Sequence, residues 1–298
     1  MEFVVTLIAA KGGELDAGIV AEAATRLKAL GAETGRPDWL CEGQACDLGF
    51  EGLVPDQADA AARQVVAGKT IDVVAQAAEG RRKMLLLADM DSTIVTSETL
   101  TDIARIAGKE EIIADITDRA MRGELDFAGA LRERVAMLAD LSETALKTAY
   151  DEVELSPGAE TLVRTMAAAG AMTALVSGGF TYFTSRIADR VGFHTNMANE
   201  FEIENGKLTG KVVEPILGRS AKYEALVKLA TERGLALADT AAIGDGANDL
   251  EMIQAAGLGC AYRGKPILRD AARVKLDHAD LSGLLYAQGY RRDDFVTG

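Results

Sequence analysis

Histidine is nearly missing from this chain: His194 and His278 are the only two in 298 residues. That excludes a multi-histidine metal centre and argues against a histidine-centred triad, so acid–base chemistry falls mainly to carboxylates. Cysteine is scarce as well. Cys41, Cys46 and Cys260 are too few for a disulfide framework, and the Cys41–Cys46 spacing misses the CxxC pattern of zinc sites. All three read as ordinary thiols, which suits a reducing cytoplasm. No apolar run reaches the roughly 18 residues of a membrane span. The start, Met1-Glu2-Phe3-Val4-Val5, lacks the basic region and long apolar core of a signal peptide. Positive charge is in deficit, 32 Lys and Arg against 46 Asp and Glu, for a net charge of −14. A nucleic acid or an anionic membrane surface demands a basic face and is therefore not expected as a partner. One small phosphorylated substrate stays compatible, because a few local cations and a metal can reverse the sign of a single cleft. No GxxxxGK[ST] segment and no GxGxxG opening a helix after the first strand is present, which excludes a P-loop kinase and disfavours a dinucleotide-binding dehydrogenase. Internal repeats and low-complexity tracts are absent too.

What is present suffices for about two or three folded units, with 48% hydrophobic residues. Residues 1–78 read as a small module: a strand over Glu2–Ala9, a helix over Asp16–Leu30 stopped at Gly31, strands near Glu33–Leu40 and Cys46–Gly52, a helix from Pro55 to Val66, and a strand over Thr70–Val74. The order βαββαβ is that of a ferredoxin-like α+β unit. The polar link Glu79-Gly80-Arg81-Arg82-Lys83 marks a boundary, and a second unit spans 83–298. There strands and helices alternate, with strands at Leu85–Ala88, Ala171–Val176, Thr240–Gly244 and Leu258–Tyr262, as in a Rossmann-like, doubly wound parallel sheet with helices on both faces. The stretch from about 99 to 154 is helical throughout and too long for a plain connection. It reads as a helical cap over the site.

Chemistry concentrates where these strands end. Leu85-Leu86-Leu87-Ala88 runs into Asp89-Met90-Asp91-Ser92-Thr93, and two anions so close repel unless a cation or a proton intervenes. One carboxylate can attack phosphorus and the other can protonate a leaving alcohol. Val176-Ser177-Gly178-Gly179-Phe180 offers a hydroxyl and exposed N–H groups to an anion, and Lys222 is a compact cation suited to phosphate. Gly244-Asp245-Gly246-Ala247-Asn248-Asp249 clusters hard oxygen donors of the kind Mg²⁺ takes. Taken singly, these are a turn cap, a tight turn, a surface charge and an Asp-Gly turn. In combination and in this order they form a phosphoryl-transfer set.

That set resembles the haloacid dehalogenase-like phosphohydrolase superfamily over roughly residues 83–290. Within it, Asp89–Glu98, Met121-Arg122-Gly123-Glu124-Leu125-Asp126-Phe127 with Leu131-Arg132-Glu133-Arg134-Val135, and the Ser177 and Asp245 segments are similar to the phosphoserine phosphatase family. The resemblance implies Asp89 as nucleophile and Asp91 as general acid/base. It implies Mg²⁺ on the Asp89 carboxylate, the Asp91 carbonyl and Asp245, supported by Asp249 and Asn248. Ser177, the Gly178 N–H and Lys222 would bind the phosphoryl oxygens. In the cap, Glu98 would meet the substrate ammonium, Arg132 its carboxylate, and Phe127 would exclude water. The implied reaction is Mg²⁺-dependent hydrolysis of O-phospho-L-serine through an aspartyl-phosphate. Rivals are a phosphatase for another small phosphate such as phosphohomoserine, a phosphotransferase, and, from another class, an amino-acid-sensing regulator. Residues 1–78 are similar in position and pattern to the ACT-like domain some of these enzymes carry, with a regulatory role or a homodimer contact as its expected use.

Overall fold

The computed structural model describes residues 1–218 and 220–297, and of Met121 the backbone alone. Arg219 and Gly298, both inside the expected 83–298 unit, lie outside the described residues. The N-terminal part runs β1 (Phe3–Ala9), α1 (Ala17–Ala29), β2 (Glu33–Thr34), β3 (Asp38–Cys41), β4 (Ala45–Glu51), α2 (Pro55–Val65) and β5 (Ile71–Ala77). Its antiparallel sheet has the order β2-β4-β1-β5, with β3 also on β4. Asp16 caps α1 by accepting the Ile19 N–H at 2.8 Å, a bond the first turn of a helix cannot supply for itself. One strand expected over Glu33–Leu40 is instead two short ones separated by Gly35-Arg36-Pro37, since proline carries no N–H for a ladder. The last strand runs on to Ala77, three residues beyond expectation.

The second part begins with β6 (Leu85–Ala88), followed by α3 (Thr99–Ile106), α4 (Glu110–Met121), α5 (Phe127–Ala136) and α6 (Glu143–Asp151), the expected helical stretch. Then come α7 (Ala159–Ala168), β7 (Met172–Phe180), α8 (Thr181–Val191), β8 (Thr195–Asn199), β9 (Phe201–Glu204), β10 (Lys207–Val212) and α9 (Ala221–Glu232). The chain closes with β11 (Thr240–Gly244), α10 (Leu250–Ala255), β12 (Leu258–Tyr262), α11 (Pro266–Ala271), β13 (Val274–Leu276) and α12 (Gly283–Ala287). The parallel sheet has the order β13-β12-β11-β6-β7-β8. Leu85 and Leu87 point into a core shared with Leu226 of α9 and Met252 of α10. Leu86 and Ala88 point to the other face, against Leu162 of α7 and Ile187 of α8. Burial on both faces is why β6 is apolar without alternation. The hairpin β9–β10 turns at Asn205-Gly206, both at positive φ (51° and 73°), the preference of a type I′ hairpin. It runs beside the cap, where the Asp140 N–H donates to the Leu208 carbonyl at 2.9 Å.

The link 79–83 does not hold the two sheets apart. α1 and α2 cover one face of the N-terminal sheet through Val20, Leu27, Ala58 and Ala62. From the other face Ile8, Ala45 and Val74 join the core of the second part, with Leu284 and Tyr286. Buried polar groups on that face are matched across the junction. Asp72 accepts the backbone N–H groups of Asp277 (3.1 Å), His278 (3.2 Å) and Ala279 (2.8 Å). Gln76 donates to the Ala287 carbonyl at 2.6 Å. Arg81 pairs with Asp47, which also accepts from the Thr6 hydroxyl at 2.6 Å. Its guanidinium lies flat on Gly289, where a Cβ would fall 2.5 Å from Nη2.

All three cysteines are free, Cys46 and Cys260 being buried. Among the described residues no helix is long and apolar enough to cross a membrane.

Candidate active site

β6 lies between β11 and β7, so the C-terminal ends of three adjacent parallel strands bring together segments 64 to 156 residues apart in sequence. This is the edge at which open α/β sheets place their ligands. The cleft has a volume of about 190 Å³ and is lined by Asp89, Asp91, Glu98, Leu100, Phe127, Leu131, Arg134, Ser177, Gly178, Asp245, Asn248 and Lys265, among others. It is smaller than the ~300–1,000 Å³ of pockets for drug-sized ligands.

Asp89 and Lys222 form its floor, both buried. Lys222, in the first turn of α9, has Nζ 2.8 Å from Asp89 Oδ1 and donates to Asp249 Oδ1 at 2.5 Å. Burial pulls the ammonium toward neutrality, but the two carboxylates outweigh it and hold its pKa above the usual lysine value. Burial and the neighbouring Asp249 raise the Asp89 pKa, with Lys222 pulling it back. The Met90 N–H donates to Asp89 Oδ1 at 2.7 Å. Asp249 is fully buried and doubly engaged, since its Oδ2 accepts the N–H groups of Asp245 (3.1 Å) and Gly246 (3.0 Å). Gly244 must lack a side chain for this, because a Cβ there would sit 2.3 Å from Asp249 Oδ2.

Asp91 stands where the chain leaves β6 in a wide, non-helical turn closed by the Val95 N–H donating to the Met90 carbonyl at 3.0 Å, with Ser92 at φ 55°. Its Oδ1 accepts the Thr99 N–H at 2.9 Å, which ties it to the first residue of α3. Burial first, and then the negative charge of Glu98, push its pKa up to about 7. Glu98 is exposed at the cleft and accepts the Ser92 hydroxyl at 2.8 Å. On β7 the register with β8 shifts between Val176 and Phe180, a bulge that turns Ser177, Gly178 and Gly179 into the cleft. The Gly179 N–H donates to Ser177 Oγ at 2.9 Å. A Cβ on Gly178 would meet the Phe127 ring at 3.3 Å, so the cap rests directly on this loop.

Carboxylate oxygens of Asp89, Asp245 and Asp249 lie within 4.8 Å of one another. Among the described residues no N–H or O–H group donates to Asp89 Oδ2 or to the Asp245 carboxylate. Hard, anionic and free of hydrogen-bond donors among the described residues, these oxygens fit a divalent cation such as Mg²⁺, and Asp249 stands beside them. Burial and Asp249 raise the Asp245 pKa, with Lys265 pulling it back in part, the response of crowded buried carboxylates.

Every expected site residue lines the cleft or its floor except one. Arg132 is exposed and turned to Glu214. On α5, Phe127, Leu131 and Arg134 recur at i, i+4 and i+7 and share the face toward the cleft; Arg132 at i+5 is off that face. Arg134 lines the cleft instead, half-buried, donating from Nε to the Ala130 carbonyl at 3.2 Å. Helical phase from Phe127 could have found it. Lys265 was the other lining cation that sequence reasoning missed, on a turn with no local pattern.

A haloacid dehalogenase-like hydrolase family model matches residues 86–254. The chain is 42% identical over 76% of its length, and 55% of the relative's, to a phosphoserine phosphatase of Streptomyces coelicolor. It is 40% identical to a phosphoserine phosphatase of Methanocaldococcus jannaschii over 69% of its own length and 97% of that protein's. The structure is similar to a HAD family hydrolase of Salmonella enterica serovar Typhi, with a TM-score of 0.84 and 27% identity over 96% of this chain and 98% of that one. The matched region spans 55%, 63% and 52% of the length of three of the curated relatives. Model match, identity and strand order agree, and the chain belongs to the haloacid dehalogenase-like hydrolase family.

Proposed function

We propose that this protein hydrolyses O-phospho-L-serine to L-serine and phosphate, with Mg²⁺, in two in-line displacements. The observation that carries the reading is the presence of opposite charges, Glu98 and Arg134, on the walls of one small cleft whose floor is Asp89 with Lys222. A phosphoryl group at the floor leaves the ammonium of a phosphoamino acid for Glu98 and its carboxylate for the planar fork of Arg134. The relatives' shared activity supports the same substrate.

In the first step an Asp89 oxygen bonds to phosphorus while the bond to the serine oxygen breaks, and Asp91 gives that oxygen its proton. In the second, a water oxygen bonds to phosphorus, Asp91 takes the water's proton, and the Asp89–phosphorus bond breaks. A general acid with a pKa near 7 can serve both steps at neutral pH. Lys222, the Ser177 hydroxyl and the Gly178 N–H bind the phosphoryl oxygens, with Asn248 beside them, and Phe127 keeps bulk water out. Mg²⁺ would be held by the Asp89 carboxylate, the Asp91 carbonyl and Asp245, with Asp249 in support. When bound it offsets the negative charge of carboxylates and phosphoryl oxygens. The N-terminal unit is read as ACT-like, and the protein as a cytoplasmic enzyme of a small phosphomonoester, with no nucleic-acid or membrane partner.

The test is phosphate release from O-phospho-L-serine. Release should stop with EDTA, return with added Mg²⁺, and be lost in an Asp89→Asn variant that keeps its melting transition. Absence of release with Mg²⁺ present, or full turnover by the folded variant, would overturn the reading.

A further inference from the structure

Lys265 is a cation of the cleft that has no part in the chemistry above. It lies at the mouth, its side chain 68% exposed, with Nζ 3.8 Å from Asp245 Oδ2. Its backbone does not share that freedom. The Lys265 N–H donates to the Asp245 carbonyl at 2.8 Å, and Pro266 follows as the first residue of α11, where its ring presets the helical φ. The turn before it is pressed onto the same loop. Arg263 sits at φ 46°, and a Cβ on Gly264 would be 2.9 Å from the Ala261 Cβ and 3.5 Å from the Asp245 carbonyl. A fixed backbone thus carries a loose ammonium beside the carboxylate that has no hydrogen-bond donor among the described residues.

Charge gives that ammonium two tasks. Asp89, Asp91, Glu98, Asp245 and Asp249 surround the cleft, against Lys222 at the floor and Arg134 on the cap. A phosphate dianion approaching the mouth meets Glu98 and Asp245 before it reaches Lys222. Resting on the phosphatase reading, we propose that Lys265 is a positioning residue with two opposed effects. It neutralises Asp245 and so competes with the divalent cation, and it draws the phosphate of the incoming substrate past the acidic rim.

These effects leave opposite signatures when the charge is removed. In Lys265→Met, Mg²⁺ titrated calorimetrically into the substrate-free protein should bind about fivefold tighter, the size of one exposed charge at ~4 Å. The KM for O-phospho-L-serine at saturating Mg²⁺ should rise by a similar factor, with kcat changed less than about twofold. Lys265→Arg should restore both values. A residue that only shaped the turn would weaken metal and substrate together and would not be rescued by arginine. Unchanged or weaker Mg²⁺ binding in Lys265→Met, or an unchanged KM, overturns the proposal. Wild-type protein that neither binds Mg²⁺ nor releases phosphate removes the underlying reading, and this inference with it.

Discussion

Arg132 is bound to Glu214 from two directions: its Nε and Nη2 both donate to Glu214 Oε1, at 3.1 and 2.6 Å. The pair joins cap helix α5 to the segment leaving the β9–β10 hairpin, and both partners are more than half exposed. Exposed pairs of this kind contribute little, about 0–1 kcal/mol. Its consequence is directional, because Arg134 is left as the cap guanidinium that faces the cleft.

Arg134→Ala should therefore damage phosphoserine hydrolysis far more than Arg132→Ala. Loss of a charged hydrogen bond worth about 1.5–3 kcal/mol corresponds to roughly 10- to 150-fold in kcat/KM. On p-nitrophenyl phosphate, which has no carboxylate to hold, Arg134→Ala should cost less than about threefold. Parallel steady-state kinetics of both variants on both substrates check this. Equal losses on the two substrates, or a dominant effect of Arg132, would contradict the cleft geometry.

Stability should fall with rising pH when no metal is present. Burial raises the pKa values of Asp72, Asp89, Asp91 and Asp245, so the folded state holds protons that the unfolded chain, with carboxylates near 3.9, has already lost. The stability these groups allow is complete below about pH 4 and is lost as pH climbs through their folded values. Asp91 alone, moved from 3.8 to about 7, accounts for about 4 kcal/mol in order of magnitude. Urea unfolding in EDTA should thus show greater stability at pH 5 than at pH 8, and Mg²⁺ should narrow the gap by binding the ionised forms. A metal-free protein more stable at pH 8 would refute the electrostatics described for the cleft.

The junction between the two sheets rests on a buried charge. Asp47 is 4% exposed and has Arg81 as its counter-ion. Arg81→Ala should destabilise the protein by about 3–5 kcal/mol, because it leaves the carboxylate buried without a partner. The double variant Arg81→Ala/Asp47→Ala should recover part of that loss, as a double-mutant cycle on denaturation midpoints would record. A single-variant cost below 1 kcal/mol would mean that water reaches the junction.

Much of this molecule is legible in its residues taken in order. The unbroken Leu85–Ala88 run announces a strand buried on both faces, and Asp16, Gly31 and Pro55 mark helix ends through local backbone chemistry. The Asn205-Gly206 hairpin is equally local in origin. Asp89, Asp91, Ser177 and Asp245 are visible because each sits within three residues of a strand end, where chain geometry alone exposes it. Strand order is another matter. Nothing local says that β6 inserts between β11 and β7, and only that order turns three separate loops into one cleft.

Lys222 shows the limit most clearly: its helix carries no local mark, and two buried carboxylates 133 and 27 residues away give the ammonium its meaning. Arg132 and Arg134 are equivalent on paper, and the helical phase set by Phe127 and Leu131 against the cleft separates them. Likewise Asp72, Arg81 and Gln76 read as ordinary polar residues until a second surface closes over them. Bond rotations and apolar spacing act over a few residues and are written in the sequence itself. Long-range electrostatics and packing depend on which surfaces meet, and that was decided only when the chain closed on itself.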